Sequence, residues 1–332
     1  MATKRPPLYS MQAGPRRHRR PRRLSVVRTA AVVVLAAIAG AAGFTVWQVL
    51  PLTHPNEGII PAARLTGVVP QAASGTDPSM SPLGAAGTST ARIRGVRVAA
   101  GVVVDAASGR VLWAHRPHAR RPVASLTKLM TALLAERGST PRRRFTISPA
   151  MTTGLGYTLG LQAGDRVTVG DMLAGALIAS ANDAADALAV HRSGSVRAFV
   201  ALMNRQAGRM HLADTRYSNP SGIIDAGNHS SAWDVAQLAR AVLARPELRR
   251  LVASKSYRPA GGAPYVNGNS LLWTYPGTVG VKTGQTTLAG NCLAAAARRH
   301  RHTIIAVELA ASGDEFATAA RMLDWGFRKV RR

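Results

Sequence analysis

Ser125 and Lys128, in the run Ser125-Leu-Thr-Lys128, put a hydroxyl and an amine three residues apart. On a helix that spacing rotates about 300° and rises about 4.5 Å, so both side chains share one face. A serine hydroxyl is a poor nucleophile until a neighbouring base takes its proton. A lysine serves if desolvation or nearby positive charge keeps its amine neutral. Where a serine opens a helix, unpaired backbone N–H groups lie ready for a developing oxyanion. The same pattern also describes a helix-start serine followed by a surface lysine. Ser180-Ala-Asn182 adds a second hydroxyl and a carboxamide, set between apolar Leu173–Ala179 and Ala184–Val190. Serine and asparagine are neutral to unfavourable inside helices, so here they mark a break, a local cap or a functional position. Lys282-Thr283-Gly284 supplies a second amine at the end of a strand-like run. Such a strand edge can hold a substrate carboxylate and backbone, with Gly284 permitting close approach; it also describes an ordinary strand exit.

The elements that must position these groups follow from periodicity. Val96–Val104 and Arg110–Ala114 read as two strands joined by a turn at Asp105–Gly109. Pro122 leads into a helix over Ser125–Glu136, with Leu126, Leu129, Met130, Leu133 and Leu134 at helical spacing. Helical patterns also cover Val169–Val190, Ser195–Met210 and Ala232–Leu243. Three strands are predicted at Gly277–Lys282, Asn291–Ala297 and Thr303–Leu309, and an amphipathic helix at Asp314–Lys329. Strand pair, helices, strand triplet, helix: this order predicts an α/β fold. An antiparallel sheet is assembled from both ends of the chain and flanked by helices, with an all-helical lobe inserted between.

Taken together and in this order, the three motifs carry a resemblance that none carries separately. The sequence resembles the serine-type D-alanyl-D-alanine carboxypeptidases, the low-molecular-mass penicillin-binding proteins, within the wider superfamily of DD-peptidases and β-lactamases. The likeness extends to Asp105–Leu112, Pro122–Thr131, Ser180–Ala185, Phe199 with Met203-Asn204, Ser218–Gly222, Gly280–Gly284 with Ala289-Gly290, and Leu323–Phe327. It implies that Ser125 attacks the carbonyl of the penultimate D-Ala of a peptidoglycan stem peptide, releasing the terminal D-Ala and leaving an acyl-enzyme that water resolves. Lys128 is then the general base, Ser180 relays a proton to the leaving amine, and Asn182 holds the substrate backbone and the Lys128 amine. Lys282, Thr283, Gly284 and Gln285 line the substrate. Lys282 also keeps Lys128 deprotonated by like-charge repulsion, and the N–H groups of Ser125 and Gln285 form the oxyanion hole. No metal or cofactor is implied, and β-lactam antibiotics are expected as acylating inhibitors.

The sequence also departs from the pattern. The resemblance implies Arg just before the phenylalanine that opens the last helix, supporting the terminal carboxylate; here Glu315 precedes Phe316, and Arg321 lies about one and a half turns later. Gln285 stands where His or Tyr is frequent. A class A β-lactamase shares the three motifs, but the only Glu between Asn182 and Lys282 is Glu247, outside a deacylating setting. A D,D-endopeptidase using the same residues stays open, as does a non-catalytic wall-binding membrane protein, which would have no need of intact Ser125, Lys128 and Lys282.

Composition bounds the compartment. The 332 residues carry a net charge of +27, and residues 1–28 hold nine cations and no acid. Such charge suits nucleic acid, anionic lipid or an anionic wall polymer. The next 22 residues, Thr29–Leu50, are uncharged and long enough to span a bilayer core of roughly 30 Å. Residues 1–28 are therefore predicted to be a cytoplasmic tail and 29–50 a single-pass signal anchor, with an extracytoplasmic domain beyond. Secretion after cleavage near Ala37–Ala41 is the alternative. Either route excludes a nucleic-acid partner, for which no module is present. Residues 51–94 read as a flexible Pro/Gly/Ser-rich linker, about 35–40 Å in mean reach, and 95–332 as the catalytic domain. The single Cys292 excludes an internal disulfide and reads as a small apolar residue. His300-Arg-His302 alternates like metal ligands but reads as a solvated hairpin tip, and Arg142–Arg144 as a loop face. Asp183 and Asp186 read either as solvated helix positions or as supporting partners of the site.

Overall fold

Val98–Asp105 (β1) and Val111–His115 (β2) form an antiparallel hairpin. Its turn is held by Asp105 Oδ1, which accepts from the N–H groups of Ala107 at 3.0 Å and Ser108 at 3.1 Å. The computed structural model describes residues 83–330 apart from 153–154, 224–226 and 261. The predicted tail, the predicted membrane span and the linker as far as residue 82 lie outside the described residues. Among the described residues no helix is long and apolar enough to cross a membrane.

After the hairpin come α1 (Lys128–Arg137), β3 (Arg144–Thr146), β4 (Arg166–Thr168), α2 (Val169–Leu177), α3 (Asn182–Ser193) and α4 (Val196–Arg209). Next are α5 (Ala232–Ala244), α6 (Pro246–Ala253), the short strands β5 (Ser256–Tyr257) and β6 (Tyr265–Val266), and α7 (Leu271–Thr274). The chain then returns to the sheet as β7 (Thr278–Thr286), β8 (Gly290–Arg299) and β9 (His302–Ala311), and ends in α8 (Glu315–Val330). Several helices start on side-chain caps: Thr168, Ser195 and Ser231 each accept the N–H of the residue three positions on.

The main sheet has the order β2-β1-β9-β8-β7 with every pair antiparallel, so the first strand lies beside the last and β7 is an edge. Strand alternation gives it two apolar faces. Val103, Leu293, Ala295, Ala297, Ile304 and Ala306 pack under Met322, Leu323 and Phe327 of α8. Val102, Val104, Ala294, Ala296, Ile305 and Val307 face the inserted helices. This is the α/β architecture expected from the order of elements.

The structure differs from the sequence expectations in several places. The run Val169–Val190 is two helices, because Ser180 takes a left-handed conformation (φ +62°) between α2 and α3. Ser125 lies in a 3-10 turn, Ala124–Thr127, ahead of α1, so the Ser125–Lys128 motif spans a junction of two helix types. Residues 83–94, expected as the end of the linker, instead run beside β2. Ser89 N–H bonds Leu112 O at 3.1 Å, Trp113 Nε1 donates to Ala91 O at 2.8 Å, and Leu83 and Ile93 are buried. Burying those two side chains and satisfying the indole N–H outweigh the polar composition of the segment.

One group sits badly in this core. Glu308, on β9, is fully buried and neither carboxylate oxygen has a hydrogen-bond partner among the described residues. Burial, reinforced by Glu315 and Asp314, pushes its carboxyl well above the ordinary range. The folded state therefore holds a proton that the unfolded chain releases. Stability falls as pH rises from the ordinary glutamate range toward the raised folded value. Glu308→Leu is expected to raise stability by about 1–3 kcal/mol at neutral pH and to flatten that slope, as read from thermal melts across pH.

Candidate active site

The site is built where the Ala124–Thr127 turn, the α2–α3 break and the edge strand β7 meet. Lys128 opens α1, and its side chain is fully buried. Its Nζ lies 2.8 Å from Ser125 Oγ, 2.7 Å from Asn182 Oδ1 and 2.7 Å from the carbonyl oxygen of Ser221. Two of these neighbours can only accept. A neutral amine has two N–H groups and one lone pair, so donating to Asn182 and Ser221 leaves the lone pair facing the one neighbour that can donate, the Ser125 hydroxyl. Electrostatics favour the same state. Burial, and then the nearby Lys282 charge, hold the Lys128 amine well below its ordinary value, against the opposing pull of Asp186 and Asp183.

Lys282 is the second buried amine. It donates to Ser180 Oγ at 2.9 Å and to its neighbour's carbonyl, Thr283 O, at 3.0 Å, and burial lowers it to about 7. The left-handed turn at Ser180 breaks the apolar helix so that Ser180 meets Lys282 while Asn182, at the start of α3, meets Lys128. Lys-Thr-Gly lies inside β7 rather than at its end, because pairing with β8 continues to Thr286 and Gly290. Gly284 abuts the Ala124–Thr127 turn: a Cβ there would stand 2.9 Å from Val123 O and 3.1 Å from Ser125 N. Only glycine lets the strand come so near.

The Ser221 carbonyl was not singled out by residue type, since any residue can supply one. The turn Ser218–Gly222 aims it. Asn219 Oδ1 accepts from the N–H groups of Ser221 (3.1 Å) and Gly222 (2.7 Å), while Asn228 Nδ2 bridges to Asn219 O and Thr127 Oγ1. Thr131 Oγ1 donates to Pro220 O at 2.6 Å, tying the turn to α1. The Asn-Pro-Ser-Gly composition was the available signal.

Other candidate side chains make different contacts. Gln285 is exposed and its Nε2 donates to Asn291 Oδ1 at 2.9 Å; Asn291 Nδ2 in turn reaches Glu315 Oε2 at 3.2 Å. Arg321 packs against Gly95. Glu247 is ion-paired with Arg250 at 2.6 Å on α6. His300 occupies the β8–β9 turn, and His302 Nδ1 approaches Asp105 Oδ2 at 3.3 Å. Among the described residues no cluster of His, Cys, Asp or Glu is placed to hold a metal ion.

The sheet, its covering helix and the inserted lobe are those of solved serine DD-peptidases and penicillin-binding proteins. A D-alanyl-D-alanine carboxypeptidase from Mycobacterium tuberculosis superposes with a TM-score of 0.68 at 29% identity, covering 72% of this chain and 94% of that one. Penicillin binding protein 6B from Escherichia coli gives 0.67 at 33% identity, covering 72% and 80%. The chain belongs to the D-alanyl-D-alanine carboxypeptidase family, whose model matches residues 87–313. It is 37% identical over 242 residues to the D-alanyl-D-alanine carboxypeptidase DacD of Escherichia coli and 34% identical over 238 residues to DacF of Bacillus subtilis. Each match covers 68% of this chain, and 62% and 61% of those relatives' lengths.

Gly222 tests the packing of the site. It has φ +80°, and an added Cβ would collide with the Ala124 carbonyl and stand 2.7 Å from Thr127 Oγ1. Gly222→Ala is expected to cost at least about 1–3 kcal/mol from backbone strain, and more from the collision, seen as a lower midpoint in denaturant unfolding.

Proposed function

We propose that this chain is a serine carboxypeptidase that removes the terminal D-Ala from peptidoglycan stem peptides through an acyl-enzyme on Ser125. The observation that carries the reading is the Lys128 amine, buried and 2.8 Å from Ser125 Oγ, with both of its N–H groups accounted for by Asn182 and Ser221. Lys128 takes the hydroxyl proton as Ser125 Oγ attacks the penultimate carbonyl. The oxyanion is met by the N–H groups of Ser125 and Gln285. The leaving D-Ala amine receives a proton by way of Ser180, which Lys282 contacts at 2.9 Å. Water then attacks the ester, with Lys128 acting again as base. The names of the relatives support the substrate, and β-lactams fit as acylating inhibitors of the same serine. The basic residues 1–28 and the apolar 29–50 support a single-pass anchor with the domain on the extracytoplasmic side.

Incubation with a pentapeptide ending in D-Ala-D-Ala is expected to release free D-Ala with wild type and to fall at least about 10³-fold in Ser125→Ala and Lys128→Ala. Release that survives either change refutes the assignment. A fluorescent penicillin is expected to label Ser125 stoichiometrically and persist, because Glu247 is engaged by Arg250 and offers no deacylating base; rapid drug turnover would favour a β-lactamase.

The pH dependence follows from the two amines. Lys128 must be neutral to act, so acylation rises with pH through its lowered value. Lys282 contributes to that lowering, so Lys282→Gln is expected to move the rising limb of kcat/KM to higher pH as well as to reduce its plateau. Glu315 places a carboxylate at the end of the row from Gln285, where the resemblance implies a cation. Glu315→Arg is expected to lower KM for the free-carboxylate peptide several-fold, by roughly the 1 kcal/mol of a partly exposed charge pair, as steady-state kinetics would show.

A further inference from the structure

Asp183 neighbours Asn182 at the start of α3 and is buried. Its carboxylate has no cationic partner among the described ion pairs. It is met instead by backbone N–H groups: Leu159 at 2.9 and 3.0 Å, Gly160 at 3.0 Å, Leu161 at 3.2 Å and Ala184 at 2.8 Å. Three successive residues of one loop thus converge on one carboxylate, the arrangement that best compensates a buried anion without a counter-charge.

That loop returns the grip on the neighbouring residue. The carbonyl of Leu155 accepts from Asn182 Nδ2 at 2.7 Å, and the carbonyl of Tyr157 accepts from Asn182 N–H at 2.8 Å. A carboxamide whose NH₂ is bound on one side must present its oxygen on the other, and here that oxygen is the one 2.7 Å from Lys128 Nζ. If the amide turned over, Lys128 would face a donor, and one of its own N–H groups would compete for the direction its lone pair needs.

We infer that Asp183 is a positioning residue for the reaction: by clasping the 159–161 backbone it holds Leu155 and Tyr157 against Asn182, fixes the sense of the Asn182 amide, and so orients the Lys128 lone pair toward Ser125. This rests on the acyl-transfer reading above. Asp183 carries a second, opposing effect, since its charge favours the protonated form of Lys128. The two effects give Asp183→Asn a signature that simple loosening of the fold does not. An asparagine can keep an oxygen at the Oδ2 position, which accepts from Leu159, Gly160 and Leu161, but its NH₂ then faces the Leu159 and Ala184 N–H groups and its uncharged oxygen holds the loop less tightly, while loss of the charge lets Lys128 deprotonate more easily.

The test measures penicillin acylation and D-Ala release for wild type, Asp183→Asn, Asn182→Ala and the double variant, across pH. Asp183→Asn is expected to lose about 10- to 100-fold in kcat/KM, with the acid limb displaced to lower pH. In the Asn182→Ala background the same change is expected to cost less than about 3-fold, because the group it positions is already gone. Equal losses in both backgrounds, or an unmoved acid limb, overturn the inference. Absence of acylation in wild type overturns the acyl-transfer reading itself, so the two failures are distinct. If Asp183→Asn does not fold, Gly156→Ala probes the same contact from the exposed loop, where a Cβ would stand 3.0 Å from Asn182 Nδ2. It is expected to show the same dependence on Asn182, and additivity there counts against the proposal.

Discussion

The constraint on which this structure turns is the burial of a lysine. An ammonium taken wholly out of water is costly, and a protein relieves that cost by pairing the charge or by releasing the proton. Lys128 has carboxylates within electrostatic reach but no ion pair among the described residues; its contacts there are a hydroxyl and two oxygens that suit an uncharged amine. Lys282 beside it biases the balance further. Much of the surrounding structure serves this geometry. The 3-10 turn puts Ser125 on the lone-pair side, the Asn219–Asn228 network turns a carbonyl inward, and the break at Ser180 lets α3 begin where its first side chain is needed.

Glu308 shows the same physics without the compensation. It too is a buried ionisable group pushed toward its neutral form, but among the described residues no hydrogen-bond partner meets either oxygen. The contrast between Asp183, held by backbone N–H groups, and Glu308, with no such partner among the described residues, separates a buried carboxyl group that the fold has organised from one that it tolerates.

Much of this was legible in the sequence because its signals are periodic or chemical. Alternation marked the hairpin and the final three strands, and their order in the chain was enough to place the helical block between two parts of one sheet. Ser125, Lys128, Ser180, Asn182 and Lys282 were found by type and spacing, and the structure brings their side chains together. What escaped was carried by backbone. The Ser221 carbonyl has no residue signature, and the left-handed Ser180 lies in an apolar run whose composition continues smoothly across the break. The Asp183 clasp joins residues more than twenty positions apart through N–H groups common to every loop. The strap at residues 83–94 was hidden for a related reason: its polar composition matches a linker, and only Leu83, Ile93 and the Trp113 indole decide that it docks.

The pairing of β1 with β9 has a consequence for biogenesis. Val98 lies opposite Ala311, so the sheet cannot close until nearly the whole domain has emerged. Contacts between such remote parts of a chain form slowly, because the intervening loop must be ordered before they repay it. Lys282 is carried in by the same late strands. A nascent chain can therefore form its helices early, and Lys282 joins the Ser125–Lys128 pair only once the last strands are in place.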